Sequence, residues 1–261
     1  MSLAYFKEVL FSGLTGLGEW CRFVWAGIVW GIRPPFRWKL FFQQMEFIGV
    51  ASIPIIALTS LFTGMVFALQ TGKIYTMFNM ETLVGATVGM ALTREIGPVF
   101  SALMVTARAC SSMAAEIGSM RVTEQIDALE TMSVDPVQYL VVPRVVAATI
   151  MVPLLTAVFN FVGCIGAYLV GIFLLRIPEG PFMTRLYWYI DVDDLFGGLI
   201  KAAFFGFFIS TISCFQGFFC GSGAQGVGRA TTRAVVVSSV TILVMDYFLT
   251  SWILQYFTSS H

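Results

Sequence analysis

The feature that most constrains this chain is a set of long apolar stretches that carry no charge. Residues 145–175 run for 31 residues without Asp, Glu, Lys or Arg, and residues 47–69 form another uncharged stretch. About 20 apolar residues are enough for a helix to cross the hydrocarbon core of a bilayer. These stretches therefore predict membrane-spanning helices and favour a membrane protein over a soluble one.

Composition agrees with this prediction. Of the 261 residues, 57% are hydrophobic and 11% are charged, and the mean hydropathy is +0.84. An average soluble domain contains about 25% charged residues. The formal net charge is zero, so bulk electrostatics indicates no nucleic-acid partner.

We predict an all-α polytopic membrane protein with about five transmembrane helices. If the N-terminus is cytoplasmic, the segments on that side hold ten Lys and Arg residues and the opposite segments hold three. This bias favours a cytoplasmic N-terminus, because cytoplasmic loops are enriched in basic residues. The predicted spans, within one domain of residues 46–258, are 47–69, 82–107, 145–175, 195–220 and 234–257.

The N-terminal segment, residues 1–45, mixes Trp with Arg and Lys rather than forming a clean apolar stretch. Such residues favour the headgroup level of a membrane. We expect one or two interfacial helices here, broken at Pro34-Pro35. A spanning helix at residues 9–32 is the alternative, although Glu19 and Arg22 would interrupt it.

A compact polar block, residues 116–144, separates the second and third predicted spans. Val122, Ile126, Leu129 and Met132 recur at helical spacing within it, which predicts an amphipathic helix with an acidic outer face. A turn capped by residues such as Asp135 and a second short helix should lead into the third span. The block is either a solvated loop or a cytoplasmic docking helix for a soluble partner.

Four charged residues fall inside predicted spans: Arg94, Glu95, Lys201 and Asp246. A charge at the centre of a bilayer costs at least about 2.5–3.5 kcal/mol, so such side chains normally face the interior of a helix bundle or a cavity. One interpretation is that they pair with one another and hold the helices together. The other is that they line a transport route or couple motion to it, and both can hold.

Several chemistries lack their residues. The only histidine is His261, and the five cysteines form no CxxC pair, so neither a histidine triad nor a metal site is expected. GSGAQG, residues 221–226, follows a membrane span rather than a strand, and TGKI, residues 71–74, lacks the Ser or Thr of a P-loop. We therefore expect no nucleotide site and no cofactor in this chain.

A long motif makes the chain resemble a known family. Residues 92–147 read LTREIGPVFSALMVTARACSSMAAEIGSMRVTEQIDALETMSVDPVQYLVVPRVVA, and residues 228–239 read GRATTRAVVVSS. Both are similar to the permease family of MlaE-type ABC lipid transporters, and the resemblance covers about residues 40–257.

The resemblance implies a bacterial inner-membrane permease that works as two copies of itself. It implies three protein partners: a cytoplasmic ABC ATPase that binds ATP and Mg²⁺, a periplasmic MCE-domain protein and often a STAS-domain protein. The implied substrate is phospholipid, and the process supported is outer-membrane lipid asymmetry. The ATPase would bind through a coupling helix at about residues 121–135, whose polar members are Arg121, Glu124, Asp127, Glu130 and Asp135.

The resemblance also implies a lipid cavity and a set of recurrent polar positions. Phe67, Ile74, Tyr75 and Phe78 match positions that line the cavity in the family, although their spacing alone fits helix packing or lipid contact equally well. Glu95, Lys201 and Asp246 match recurrent polar positions. Two alternatives to a permease remain open: a membrane-embedded lipid-modifying enzyme, for which the close trio Asp191, Asp193 and Asp194 is the only candidate site, and a scaffold without transport.

Overall fold

The computed structural model describes residues 3–33 and 37–258, and every regular element in these residues is a helix. The predicted break at Pro34-Pro35 lies outside the described residues. The α-helices are α1 (Leu3–Ile32), α2 (Trp38–Ile48), α3 (Ile53–Thr76), α4 (Val84–Ala91), α5 (Gly97–Val105), α6 (Ser111–Val122), α7 (Gln125–Thr131), α8 (Val142–Leu169), α9 (Glu179–Tyr189), α10 (Val192–Phe218) and α11 (Gly223–Thr258).

Five stretches among the described residues are long and apolar enough to cross a membrane, which confirms the predicted number. They are Trp38–Thr76, Glu81–Val122, Val137–Leu174, Val192–Phe218 and Gly223–Ile253. α1 is not one of these five, and its placement on the membrane surface stays a prediction.

Short π-helical segments join consecutive α-helices into continuous rods. The second span contains two of them, Leu92–Ile96 between α4 and α5, and Thr106–Cys110 between α5 and α6. A third, Val137–Val141, runs directly into α8. The predicted second short helix leading into the third span is this π-helical segment, and it is continuous with α8.

Glycine allows the spanning helices to approach closely. A Cβ added at Gly64 of α3 would collide with the carbonyl oxygen of Gly163 in α8, and one at Gly206 of α10 would crowd the carbonyl of Ala148 in α8. In a membrane, helices associate through such close contacts rather than through a hydrophobic driving force. α8 thus packs against both α3 and α10 and forms the centre of the bundle.

A second apolar cluster holds the polar end of the bundle together. Phe23 of α1 packs with Ile117, Ile126, Leu140 and Cys214, which belong to α6, α7, the start of the third span and α10. The ring of Phe23 also lies 5.6 Å from that of Phe215. This cluster fixes α1 and α7 against the ends of three spans.

The first and fifth spans are the least covered by the rest of the chain. Only 22% of the most apolar window in each is buried. Their exposed side chains are large and apolar, as Phe62 of α3 and Leu243 of α11 illustrate. Such faces suit contact with lipid tails or with another apolar helix surface.

Candidate functional site

A cluster of ionic and hydroxyl side chains joins the second, fourth and fifth spans. The side chain of Lys201 on α10 is 3% exposed, and its Nζ donates hydrogen bonds to Oε2 of Glu95 at 2.8 Å and to Oγ1 of Thr250 at 2.6 Å. Oδ1 of Asp246 lies 3.4 Å from the same nitrogen. We call Glu95, Lys201, Asp246 and Thr250 the ion cluster. A cation buried this fully is stable only when paired, and these contacts pair it.

The ion cluster depends on an unusual backbone in the second span. Glu95 lies in the π segment Leu92–Ile96, where the wider turn changes the direction of the side chains relative to a regular helix. An added Cβ at Gly198 of α10 would collide with the carbonyl oxygen of Thr93 in this segment. Because Gly198 has no side chain, α10 approaches closely, and Lys201 also donates to the carbonyl of Arg94 at 3.1 Å.

Arg94 does not join the ion cluster. Its Nε lies 2.8 Å from Oδ1 of Asp194 and its Nη2 donates to Oδ2 at 2.9 Å, a two-point pairing with the first turn of α10. Three of the four charges predicted inside the membrane are therefore brought together. The fourth, Arg94, pairs with Asp194, one of the three aspartates named for the enzyme alternative.

A small polar cavity of about 90 Å³ lies beside the ion cluster. Glu95 is 42% exposed, which places its carboxylate at this cavity rather than in a sealed core. Asp246 is 22% exposed, so both carboxylates of the cluster are partly accessible while Lys201 is buried. The cavity is lined by Arg94, Glu95, Asp193, Asp194, Gly197, Gly198, Lys201, Thr250 and Ile253.

The polar segment, residues 121–135, forms a turn followed by a short helix. Glu124 adopts a left-handed backbone with φ of +59°, so α6 stops before it and α7 begins at Gln125. The predicted continuous helix over residues 122–132 is therefore wrong at its start. Of the predicted apolar stripe, Ile126 is fully buried, whereas Met132 is 71% exposed.

Asp135 has a structural role at the end of the polar segment. Its Oδ1 accepts hydrogen bonds from the backbone N–H groups of Val137 at 2.9 Å and Gln138 at 3.2 Å. This confirms the predicted cap, because a carboxylate satisfies the free N–H groups at a helix start.

The outer face of the polar segment is acidic and open to solvent. Glu124 and Glu130 are exposed, and Asp127 forms an exposed ion pair with Arg121, at 2.6 Å between Oδ1 and Nη1. Ile126 anchors this face on the apolar cluster below it. The result is a short anchored helix that presents carboxylates outward, a suitable form for docking a separate protein.

An ion pair between a buried arginine and a partly exposed glutamate supports the polar segment. Nη2 of Arg144 on α8 donates to Oε2 of Glu116 on α6 at 2.9 Å, and the Arg144 side chain is 5% exposed. This pair ties the second span to the third at the end that carries the polar segment. Sequence analysis did not find this pair or the role of Thr250. It named Asp194 but did not pair it with Arg94, because the local pattern of one helix does not show its partners on another.

The four residues predicted to bind lipid differ in their exposure within the described part of the chain. Phe67 and Tyr75 are half-buried against the core, and the Tyr75 hydroxyl lies 2.9 Å from Oγ1 of Thr87. Ile74 is 56% exposed and Phe78 is 65% exposed. An apolar groove of about 330 Å³ in the described part of the chain lies elsewhere, between α1, α8 and α10. A lipid cavity at Phe67, Ile74, Tyr75 and Phe78 stays a prediction that needs a second surface.

Comparison with known proteins shows which family this chain resembles. The family model described as Permease MlaE matches residues 41–252, which include both the ion cluster and the polar segment. A probable ABC transporter permease protein of Rickettsia bellii is 46% identical over 234 residues, which cover 90% of each chain. The intermembrane phospholipid transport system permease protein MlaE of Haemophilus influenzae is 39% identical over 84% of this chain and 85% of its own length. The chloroplastic protein TRIGALACTOSYLDIACYLGLYCEROL 1 of Arabidopsis thaliana is 34% identical over 90% of this chain and 70% of its own.

Proposed function

Because this chain belongs to the MlaE permease family, we propose that it is the membrane subunit of an ABC transporter that moves phospholipid. The transfer would run between the bacterial inner membrane and a periplasmic MCE-domain carrier, in support of outer-membrane lipid asymmetry. The observation that carries this proposal is the family match over residues 41–252, combined with five spans and an anchored acidic helix outside them. The printed name of the Haemophilus influenzae relative supports phospholipid as the substrate.

The energy would come from a partner. In this proposal a cytoplasmic ABC ATPase, with ATP and Mg²⁺ bound to it and a STAS-domain protein beside it, docks on the polar segment. Glu124, Asp127 and Glu130 face solvent there, while Ile126 fixes α7 to the span ends. A movement of the ATPase against α7 would therefore reach α6, α8 and α10 through packed side chains.

A second copy of the chain would complete the lipid cavity. Ile74 at the end of α3 and Phe78 just after it are exposed, and α11 presents an exposed apolar face that includes Val240 and Leu243. Two such chains side by side would enclose an apolar space suited to acyl chains, with polar groups at its mouth for the headgroup. Phe67 and Tyr75 would then form its wall.

The ion cluster would keep the second, fourth and fifth spans together while the cavity changes shape. Its hydrogen bonds from Lys201 reach Glu95 in one span and Thr250 in another. Because one carboxylate of the cluster faces a polar cavity, a change in its pairing can be linked to the opening of that end of the bundle.

Reconstitution tests the proposal directly. The chain, its ATPase and its MCE-domain partner are placed in liposomes with a fluorescent phospholipid, and transfer to acceptor vesicles is followed with and without ATP. We expect ATP-dependent transfer of chemically unchanged lipid. Transfer that does not depend on ATP would support a scaffold, and a change in lipid mass would support an enzyme.

A charge-reversal variant tests the docking surface in the same assay. Glu124→Lys combined with Glu130→Lys should abolish the stimulation of ATP hydrolysis by the permease, because it reverses two exposed charges of the acidic face. Glu46→Lys, an exposed glutamate on α2 outside the polar segment, is the matched control and should leave stimulation intact. Equal stimulation in all three proteins would place the ATPase elsewhere.

A further inference from the structure

A second cavity, distinct from the one beside the ion cluster, lies at the polar end of the bundle. It has a volume of about 210 Å³ and opens between α2, the last turn of α6 and the first turns of the third span. A single water occupies about 30 Å³ in the liquid, so this space is large enough for a small chemical group. The lining residues are Leu40, Gln44, Met120, Tyr139, Leu140, Pro143 and Arg144.

Two buried polar atoms in this lining have no partner. Arg144 is 95% buried, and while its Nη2 binds Glu116, its Nη1 has no hydrogen-bond partner among the described residues. Oε1 of Gln44 is buried and equally unpaired within the described chain. A buried guanidinium N–H without an oxygen acceptor is unfavourable, and a guanidinium binds phosphate or carboxylate oxygens best.

The surroundings indicate where such an acceptor comes from. The rest of the lining is largely apolar, with Leu40, Met120 and Leu140 on different sides. Arg37, just before α2, places its guanidinium 4.4 Å from the centre of the Tyr139 ring, and Lys39 is exposed next to it. Aromatic and basic residues together mark the headgroup level of a membrane. At the headgroup level, an oxygen acceptor that is attached to apolar acyl chains belongs to a phospholipid.

We propose that this cavity is a binding site for the headgroup of a membrane phospholipid, with its phosphate group at Nη1 of Arg144 and a donor group of the headgroup at Oε1 of Gln44. A phosphate oxygen accepts from Arg144, while a headgroup hydroxyl or ammonium donates to Oε1 of Gln44. The lipid tails leave along the apolar side of the cavity toward the bilayer.

The proposed site differs from the transport cavity in position and in role. It lies at the start of the first span, whereas Ile74 and Phe78 lie at the opposite end of that span. A lipid bound here would join α2 to α8 next to the Glu116–Arg144 pair that supports the polar segment. The inference concerns binding by the chain itself and does not depend on ATP-driven transport.

Native mass spectrometry of the full chain, purified and delipidated in detergent, tests the site. The probes are dioleoyl phosphatidylglycerol, dioleoyl phosphatidylethanolamine, dioleoylglycerol and inorganic phosphate. We expect Gln44→Leu to weaken the tightest phospholipid binding step roughly fivefold, the effect of one hydrogen bond. Leu40→Phe, which fills the cavity, should remove the step. Gln43→Leu is the matched control, since Gln43 is exposed beside Gln44, and it should bind as the unchanged chain does.

The phosphate requirement and the source of the phosphate are tested by the remaining probes. Dioleoylglycerol lacks a phosphate, so its binding should be the same in all four proteins. Inorganic phosphate at millimolar concentration should not displace the phospholipid. Displacement by inorganic phosphate would overturn the lipid assignment in favour of a free anion. Equal phospholipid binding by Gln44→Leu, Leu40→Phe and Gln43→Leu, with all three folded by thermal melting, would overturn the site.

Discussion

Replacing Lys201 with Met removes the one cation of the ion cluster and leaves Glu95 and Asp246 facing each other. Removing one partner of a buried ion pair costs about 3–5 kcal/mol, because the other charge is left without compensation. Lys201 is 3% exposed, but Glu95 is 42% exposed and Asp246 is 22% exposed, so water screens the carboxylates in part. We therefore expect Lys201→Met to lower the free energy of unfolding by about 3 kcal/mol, the lower end of that range.

A double-mutant cycle separates the ion pair from simple loss of packing. Glu95→Gln alone removes a charge-assisted hydrogen bond and should cost about 2 kcal/mol. With Lys201 already replaced, the same change at Glu95 removes repulsion with Asp246 and should cost almost nothing. The double variant should thus be about as stable as Lys201→Met, which corresponds to a coupling energy of about 2 kcal/mol.

The assay is equilibrium unfolding of the purified chain in mixed micelles of a mild detergent and sodium dodecyl sulfate, read by circular dichroism. Thr250→Val provides a milder comparison, since it removes one hydrogen-bond partner of Lys201 without changing the charge. A coupling energy between Lys201 and Glu95 below about 0.5 kcal/mol, the range of exposed pairs, would refute the ion cluster as a stabilising pair.

Two further predictions concern packing. Gly64→Ala should destabilise the chain by about 1–3 kcal/mol in the same unfolding assay, because its Cβ would collide with the backbone of α8. Gly180→Ala is the control and should have little effect, because the space around Gly180 is open. Equal stability of the two variants would argue against close packing of α3 on α8. Ile126→Ala should lower the free energy of unfolding by about 2–5 kcal/mol and reduce the stimulation of the ATPase, because Ile126 anchors α7. Met132→Ala, at an exposed position, is the control and should leave both quantities unchanged. Unchanged stability and stimulation in Ile126→Ala would show that this contact does not hold α7.

Much of the fold follows from local sequence. The long apolar stretches predicted the number of spans. The third span begins at Val137, earlier than the predicted residue 145, and Asp135 caps its first turn. The polar segment shows the limit of this approach. Spacing of Val122, Ile126 and Met132 predicted one helix, but the left-handed turn at Glu124 interrupts it. A non-glycine residue with positive φ is uncommon, so the sequence gives little warning of it.

The candidate sites, like the fold, were predicted only in part from the sequence. The presence of charges inside apolar spans was visible from sequence, because a few charged residues stand out against long neutral runs. The partner of each charge was not visible. Arg94 pairs with Asp194 rather than with the ion cluster, and Glu116 reaches Arg144 on the next span. Both choices depend on helix rotation and crossing, which periodicity does not specify.

By itself the sequence determined that this chain crosses a membrane about five times and carries one acidic helix between the second and third crossings. The physical reason is that bilayer thickness sets a local requirement on about 20 consecutive residues. Only the tertiary structure decided that Lys201 meets Asp246, 45 residues away, and that Thr250 meets Glu95 across 155 residues. Such pairing depends on how closely the glycine-bearing helix faces approach, and that is a property of the packed bundle.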